Sequence, residues 1–175
     1  MSNCTWLYDE DSGRYIVKGA RILFPNFEGA EQNYNAAGKR NFRVELPEDM
    51  VDEMKSRGVY VRYREGDEQH DDQWLIKIGV YPDADVRLLS GRAMTKIRID
   101  NDDDEMDQAS LVDSEFRKGH VKNGEIAMEF HVSRNTRVVG ASPYARLDTI
   151  IIPIRKSRLL SDYEDGEYED EPLDY

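Results

Sequence analysis

The sequence predicts a mainly β domain in which many short strands surround one core and close, or nearly close, into a barrel with one or two short helices added. Three observations carry this. Apolar and polar residues alternate with period two wherever a pattern exists. Glycine, asparagine and charged breaks recur between the alternating runs. Only residues 48–57 carry a clear helical start and stop. The length of 175 residues corresponds to about one domain, and a hydrophobic share of 39% suffices for one core.

Residues 14–24 alternate as a strand, with Gly19 marking a bulge or a close approach. Residues 25–39 are a long polar loop containing Gly29, Asn33, Asn35 and Gly38. Phe42, Val44 and Leu46 then alternate with Arg43 and Glu45 as a half-buried strand. In the helix that follows, acids open the segment, Lys55 and Arg57 close it, and Gly58 stops it. Its Met50, Val51 and Met54 face the core. Residues 59–64 and 74–80 alternate again, joined by the charged hairpin loop 65–72. Residues 86–89 and 92–99 extend the β content around Ser90 and Gly91. Residues 107–118 fit a short second helix. Ile126, Met128, Phe130 and Val132 share one strand face, and residues 144–154 form a last strand that Pro153 places at an edge.

The formal net charge of −12 is unevenly spread. Residues 161–175 hold 8 acids and no base, and residues 100–107 hold 6 acids and no base. The rest of the chain carries 22 acids against 24 bases. The predicted organisation is therefore a folded domain over 1–160 and a disordered, self-repelling acidic tail over 161–175. No apolar run approaches the roughly 18 residues that span a bilayer, and no signal peptide is legible, so no membrane association is expected. A single cysteine, Cys4, excludes an internal disulfide and points to a reducing compartment, the cytoplasm.

Catalysis is unsupported, and no catalytic residue, metal ligand or cofactor is expected. Asp100, Asp102 and Asp104 alternate as in an EF-hand, but its required glycine and glutamate positions hold Glu105 and Leu111. His70, His120 and His131 lack metal-ligand spacing. Cations and aromatic rings, in contrast, are interleaved through the body. Tyr60, Arg62 and Arg64 share one strand face, opposite Val59 and Val61. Lys96 and Arg98 share another, and the loop ahead of the second strand adds Phe27, Tyr34, Lys39 and Arg40. Cations that follow phosphates and rings that stack under bases are the ingredients of sequence-tolerant single-strand binding.

A resemblance joins these readings. Lys18-Gly19-Ala20-Arg21-Ile22, Phe24, Asn26-Phe27 and Gly29, then Tyr34-Asn35 and Gly38-Lys39-Arg40-Asn41-Phe42, resemble the pattern of bacteriophage-encoded OB-fold single-stranded DNA-binding proteins. The likeness is densest over residues 16–46 and looser over 85–96 and 144–154. It implies an OB-fold-like barrel in which Phe27, Tyr34, Lys39, Arg40 and Asn41 belong to the loop between the first two strands, a loop that contributes to oligonucleotide binding. Tyr60, Arg62 and Arg64 become candidates from the sheet surface. A standard OB-fold carries its helix between the third and fourth strands, whereas the clearest helical pattern here follows the second.

The resemblance extends to the tail, whose end at Leu173, Asp174 and Tyr175 implies docking on replication or recombination proteins and competition with DNA for its groove. The expected activity is sequence-independent binding of single-stranded DNA in a bacterial host cell, in support of phage DNA replication, recombination or repair. A homo-oligomer is compatible with it. The competing expectation is an acidic adaptor or DNA mimic whose partner is a protein.

Overall fold

The computed structural model describes residues 4–31, 37–100, 102–134 and 137–155. Among the described residues ten strands form one sheet: β1 (Thr5–Asp9), β2 (Arg14–Ala20), β3 (Ile22–Asn26), β4 (Asn41–Leu46), β5 (Arg62–Arg64), β6 (Gln73–Gly79), β7 (Asp85–Ser90), β8 (Ala93–Ile97), β9 (Ile126–Ser133) and β10 (Tyr144–Ile154). The helices are α1 (Val51–Ser56), entered through a short 3-10 turn, and α2 (Ala109–Arg117). The mainly β expectation holds, with both helices where the pattern put them.

The hydrogen-bonded order is β1-β2-β9-β10-β6-β4-β3. Only Arg21 separates β2 from β3, so the two ends of the barrel path are halves of one bent stretch and the sheet curls back on itself. Gly19 makes the bend. It sits at φ 80°, where the register with β9 slips between Lys18 and Ala20, a backbone position that glycine alone adopts without cost. The result is a five-stranded, partly open barrel of the OB type: β2/β3, β4, β6, β10 and β9, with β6 and β10 parallel. In this order α2 lies between the third and fourth barrel strands. The apparent misplacement of the helix disappears, because α1 is an insertion after the second strand and the β7–β8 hairpin a second insertion before α2.

A strand that the sequence pattern did not assign, β1, extends the sheet antiparallel to β2. One sequence expectation needs correction: β10 is not at an edge but central, flanked by β9 on one side and by β6 and β7 on the other. Proline is tolerated there because β9 begins at Ile126 and pairs with β10 no further than Ile151; Pro153 needs only its carbonyl, which accepts the Lys122 N–H at 2.9 Å.

Inward alternation builds the core from Tyr15 and Val17, Phe42 and Val44, Ile76 and Ile78, Met128 and Phe130, and Ile150 and Ile152, all essentially inaccessible. The start of loop 27–40 is fastened to α2 by a buried carboxylate. Asp113 accepts the backbone N–H groups of Phe27 and Glu28, each at 2.9 Å. Burial pushes the Asp113 carboxyl above the usual carboxylate range, and the two donors pull it back. Asp113→Ala strands both donors and is expected to cost about 3 kcal/mol, read as a lower midpoint in urea at unchanged slope.

Candidate nucleic-acid interface

In OB-folds the outer face of the second and third strands binds oligonucleotides, flanked by the loops that join strands one to two and four to five. Here that face belongs to β4 and β6. Because Phe42, Val44 and Ile76, Ile78 point inward, Arg43 and Lys77 must point outward, and cross-strand pairing sets them side by side in a row Leu23–Arg43–Lys77. The next row is Glu45–Leu75–Arg62, and on the other side lies Asn41–Gly79–Arg146. Four strands thus bring Arg43, Lys77, Arg62 and Arg146 onto one surface.

The electrostatics of this cluster are unusual. Among the described residues, none of the ion pairs involves Arg43, Lys77 or Arg62. Desolvation and the neighbouring Arg62 lower the Arg43 pKa, and desolvation and Arg43 lower that of Lys77. Arg43 and Lys77 thus stand side by side outside the ion pairs of the described residues, an arrangement that an arriving phosphate relieves.

Aromatic rings border the cluster. Phe24 is 53% exposed although it is a large apolar residue, and its backbone sits at φ 52°, where β-carbon sterics penalise any residue but glycine. The strain coincides with a register slip between Leu23 and Asn26, which turns the ring out of the strand and under the Arg64 guanidinium, 5.7 Å away. Strained backbone that persists at an exposed ring is a mark of a binding position. Tyr60 is 76% exposed beside Arg43. At the far margin Tyr81 covers Gly79, where a Cβ would lie 3.0 Å from the ring, and Arg146 stacks 4.1 Å above that ring while paired to Asp83 at 3.0 Å.

Against this surface the sequence-based candidates divide. Tyr60, Arg62 and Arg64 are exposed and stand at the edge of the β4–β6 face. Lys39 is exposed at the end of loop 27–40. Phe27 is a correction: it is wholly buried, stacked on Phe42 at 5.2 Å and on Phe116 at 6.3 Å, because α2 closes over the start of the loop. Arg40 is a second correction. Its side chain is 7% exposed, paired with Asp107 and donating to the Phe27 carbonyl at 2.7 Å, so it anchors the loop to the acidic segment. Lys96 and Arg98 are exposed but belong to the β7–β8 hairpin, which pairs with the last half of β10, whereas β5 pairs with the first residues of β6; the two groups do not meet. Tyr34 and the tail positions Leu173, Asp174 and Tyr175 lie outside the described residues. Sequence reasoning left out Arg43, Lys77, Phe24, Tyr81 and Arg146. Alternation did signal Arg43 and Lys77 as outward; their convergence was not signalled.

The acidic segment 100–107 is largely turned on itself. Asp100 accepts the Asp102 and Asp103 N–H groups at 3.0 and 3.2 Å and pairs with Arg98, while Asp107 caps Ala109 at 2.8 Å. Among the described residues no group of three His, Cys, Asp or Glu side chains is arranged to hold a metal ion.

An OB-type barrel that carries Arg43, Lys77 and Arg62 outside the ion pairs of the described residues, bordered by exposed rings, has the ingredients of single-strand binding. Among known families, residues 10–88, from the turn before β2 to within β7, match the one described as "Putative phage ssDNA-binding domain". By fold the chain is similar to the single-stranded DNA-binding protein from bacteriophage Enc34 in complex with ssDNA, at 12% identity and TM-score 0.50, covering 87% of this chain and 92% of that chain. A C-terminal truncation of the same phage protein aligns at 13% identity and TM-score 0.49, over 89% and 97% of the two chains. No curated protein matches the chain.

Proposed function

We propose that this chain binds single-stranded DNA without sequence preference, in support of phage DNA replication, recombination or repair in the bacterial cytoplasm, and that its acidic end regulates the binding. The observation that carries the reading is the cluster of Arg43, Lys77 and Arg62, pressed together on the barrel face without carboxylate partners. Phosphates neutralise the cations, and bases stack on Phe24 and Tyr60 regardless of sequence, at roughly 1–3 kcal/mol per base. The resemblance of fold to a protein captured with ssDNA supports the same ligand. Titration of a fluorescent oligothymidine across a salt series tests it. Each phosphate contact contributes about −0.7 to the slope of log K against log salt, so three to four contacts give a slope of about −2 to −3. A flat salt response, or tighter binding to duplex than to an equally long single strand, overturns the reading.

Residues 161–175, with their eight carboxylates, follow β10 by a few residues in the sequence. Tethering holds them near the cationic face at an effective concentration approaching the millimolar range. They compete there with phosphates, and DNA displaces them because it adds stacked bases and regular charge spacing. Displacement exposes Leu173, Asp174 and Tyr175 to replication or recombination proteins. Deleting 161–175 is expected to tighten oligothymidine binding at low salt, with the difference shrinking as the Debye length falls to about 8 Å near physiological ionic strength. Equal affinities of the two forms at low salt would reduce the tail to a solubilising appendage.

A further inference from the structure

Phe24 and Tyr60 offer their rings to solvent, but another ring on the same outer surface is covered. Gly79 alternates with the inward Ile78 and the outward Lys77, so a side chain at position 79 would rise from the outer face about 7 Å beyond Lys77 along β6. The half-buried Tyr81 ring fills that space instead: a Cβ at Gly79 would lie 3.0 Å from its Cε1 and 3.5 Å from its hydroxyl. The backbone of Gly79 is ordinary strand without a positive φ, so it is the ring, and not the chain conformation, that requires glycine here. Arg146 pairs with Gly79 across the β10–β6 ladder and lays its guanidinium over a face of the ring, 4.1 Å from the centroid. Asp83, in the turn to β7, holds that guanidinium in place: Arg146 Nη2 donates to both carboxylate oxygens at 3.0 Å. Tyr144 borders the stack, with its ring centroid 6.3 Å from that of Tyr81.

From this stack we infer that Tyr81 and Arg146 form a subsite for one nucleotide of the bound strand, and that Asp83 keeps it closed in the free protein. The inference rests on the single-strand-binding reading. A guanidinium and a nucleobase are both planar, and both stack on the face of a phenol ring, so a base takes this face only when Arg146 leaves it. What holds Arg146 is a cation–π contact and an ion pair whose carboxylate side chain is 68% exposed, and each is weak where water reaches it. A phosphate is the stronger partner, because it accepts two N–H groups of the guanidinium fork at once. Arg43 and Lys77, one row away on the same face, draw it there. The phosphate takes Arg146 from Asp83, the ring is bared, and the base of the same nucleotide enters where the guanidinium lay. Asp83 is left in solvent, where most of its side chain already lies. The free protein thus carries a guanidinium in the place of a base and a carboxylate in the place of a phosphate.

The full chain and a short oligothymidine with 5-iodouracil in place of thymine test the subsite, because irradiated 5-iodouracil bonds to an aromatic ring stacked on it. Mass spectrometry of the cross-linked peptides is expected to place a base on Tyr81. Tyr81→Leu should lower the affinity about tenfold and leave the salt slope unchanged, since a stacked base is lost but no phosphate contact. Arg146→Gln should make the slope shallower by about 0.7, the contribution of one phosphate. Asp83→Asn loosens the cover and should raise the affinity about threefold, the scale of an exposed ion pair. Asp102→Asn is the control for simple loss of charge and should raise it less. Asp102 is an exposed carboxylate lining the same cleft as Asp83, and none of the ion pairs among the described residues involves it. Thermal melts read the stability of each variant, and if Tyr81→Leu fails to fold, the cross-link in the unaltered chain decides. Cross-links confined to other rings, parental affinity in a folded Tyr81→Leu, an unchanged slope in Arg146→Gln, or equal gains from the two aspartate changes each overturn the subsite while DNA binding stands. They would make the stack a fastening of the turn after β6. Protein that binds no oligothymidine at all overturns the function proposed above, and the subsite with it.

Discussion

Arg43→Glu combined with Lys77→Glu is expected to lower the affinity for a short oligothymidine about a thousandfold, since each charge-assisted phosphate contact contributes about 2 kcal/mol. The two side chains are neighbours across β4 and β6, so the double change turns the centre of the cationic face acidic. The salt slope should become shallower by about 1.4, at about 0.7 for each phosphate that is no longer neutralised. Folding should survive, because both cations are partly desolvated and repel one another in the native protein, and neither holds a carboxylate. Arg62, left in place, gains acidic neighbours. Fluorescence anisotropy at three salt concentrations and a thermal melt of the same sample read both quantities. An unchanged slope would remove these residues from the phosphate path, and a lost thermal transition would make them structural.

Phe24→Gly is expected to move stability and binding in opposite directions. Glycine adopts the φ of 52° without the steric cost, so the variant should be more stable than the parent by about 1 kcal/mol. The exposed ring contributes little to the core, and its loss removes a stacking surface worth about 1–3 kcal/mol per base, or roughly a five- to hundredfold loss of affinity. Phe24→Leu separates the two effects, since it keeps the strain and the apolar bulk but has no π-face. It should match the parent in stability and resemble Phe24→Gly in binding. If Phe24→Gly binds oligothymidine as well as the parent, the strained ring serves the fold or a different partner.

These two tests involve residues that stood differently in the sequence. Arg43 and Lys77 were legible as outward-facing, because each sits one place from a buried neighbour in an alternating run. Phe24 was legible only as part of a strand, where alternation would assign its ring to one face or the other. Its left-handed backbone arises from the slip against β4, an event of pairing that no local pattern announces.

Local chemistry, read without any fold, determined most of the strands and the faces of the alternating runs, the two helices, a bulge or close approach at Gly19 and the concentration of acid in two segments. These follow from side-chain periodicity, glycine's freedom at positive φ and like-charge repulsion, all of which act between residues close in the chain. Tertiary structure alone decided which cations meet, since Arg43, Arg62, Lys77 and Arg146 come from four strands that are distant in the chain and joined only by pairing. It also decided what the aromatic and basic residues of loop 27–40 do. A phenylalanine ring gains as much from a closed core as from a stacked base, and an arginine pairs as readily with a carboxylate as with a phosphate. Phe27 and Arg40 went to the fold because α2 and Asp107, some 67–89 positions further along, arrive over them when the barrel closes.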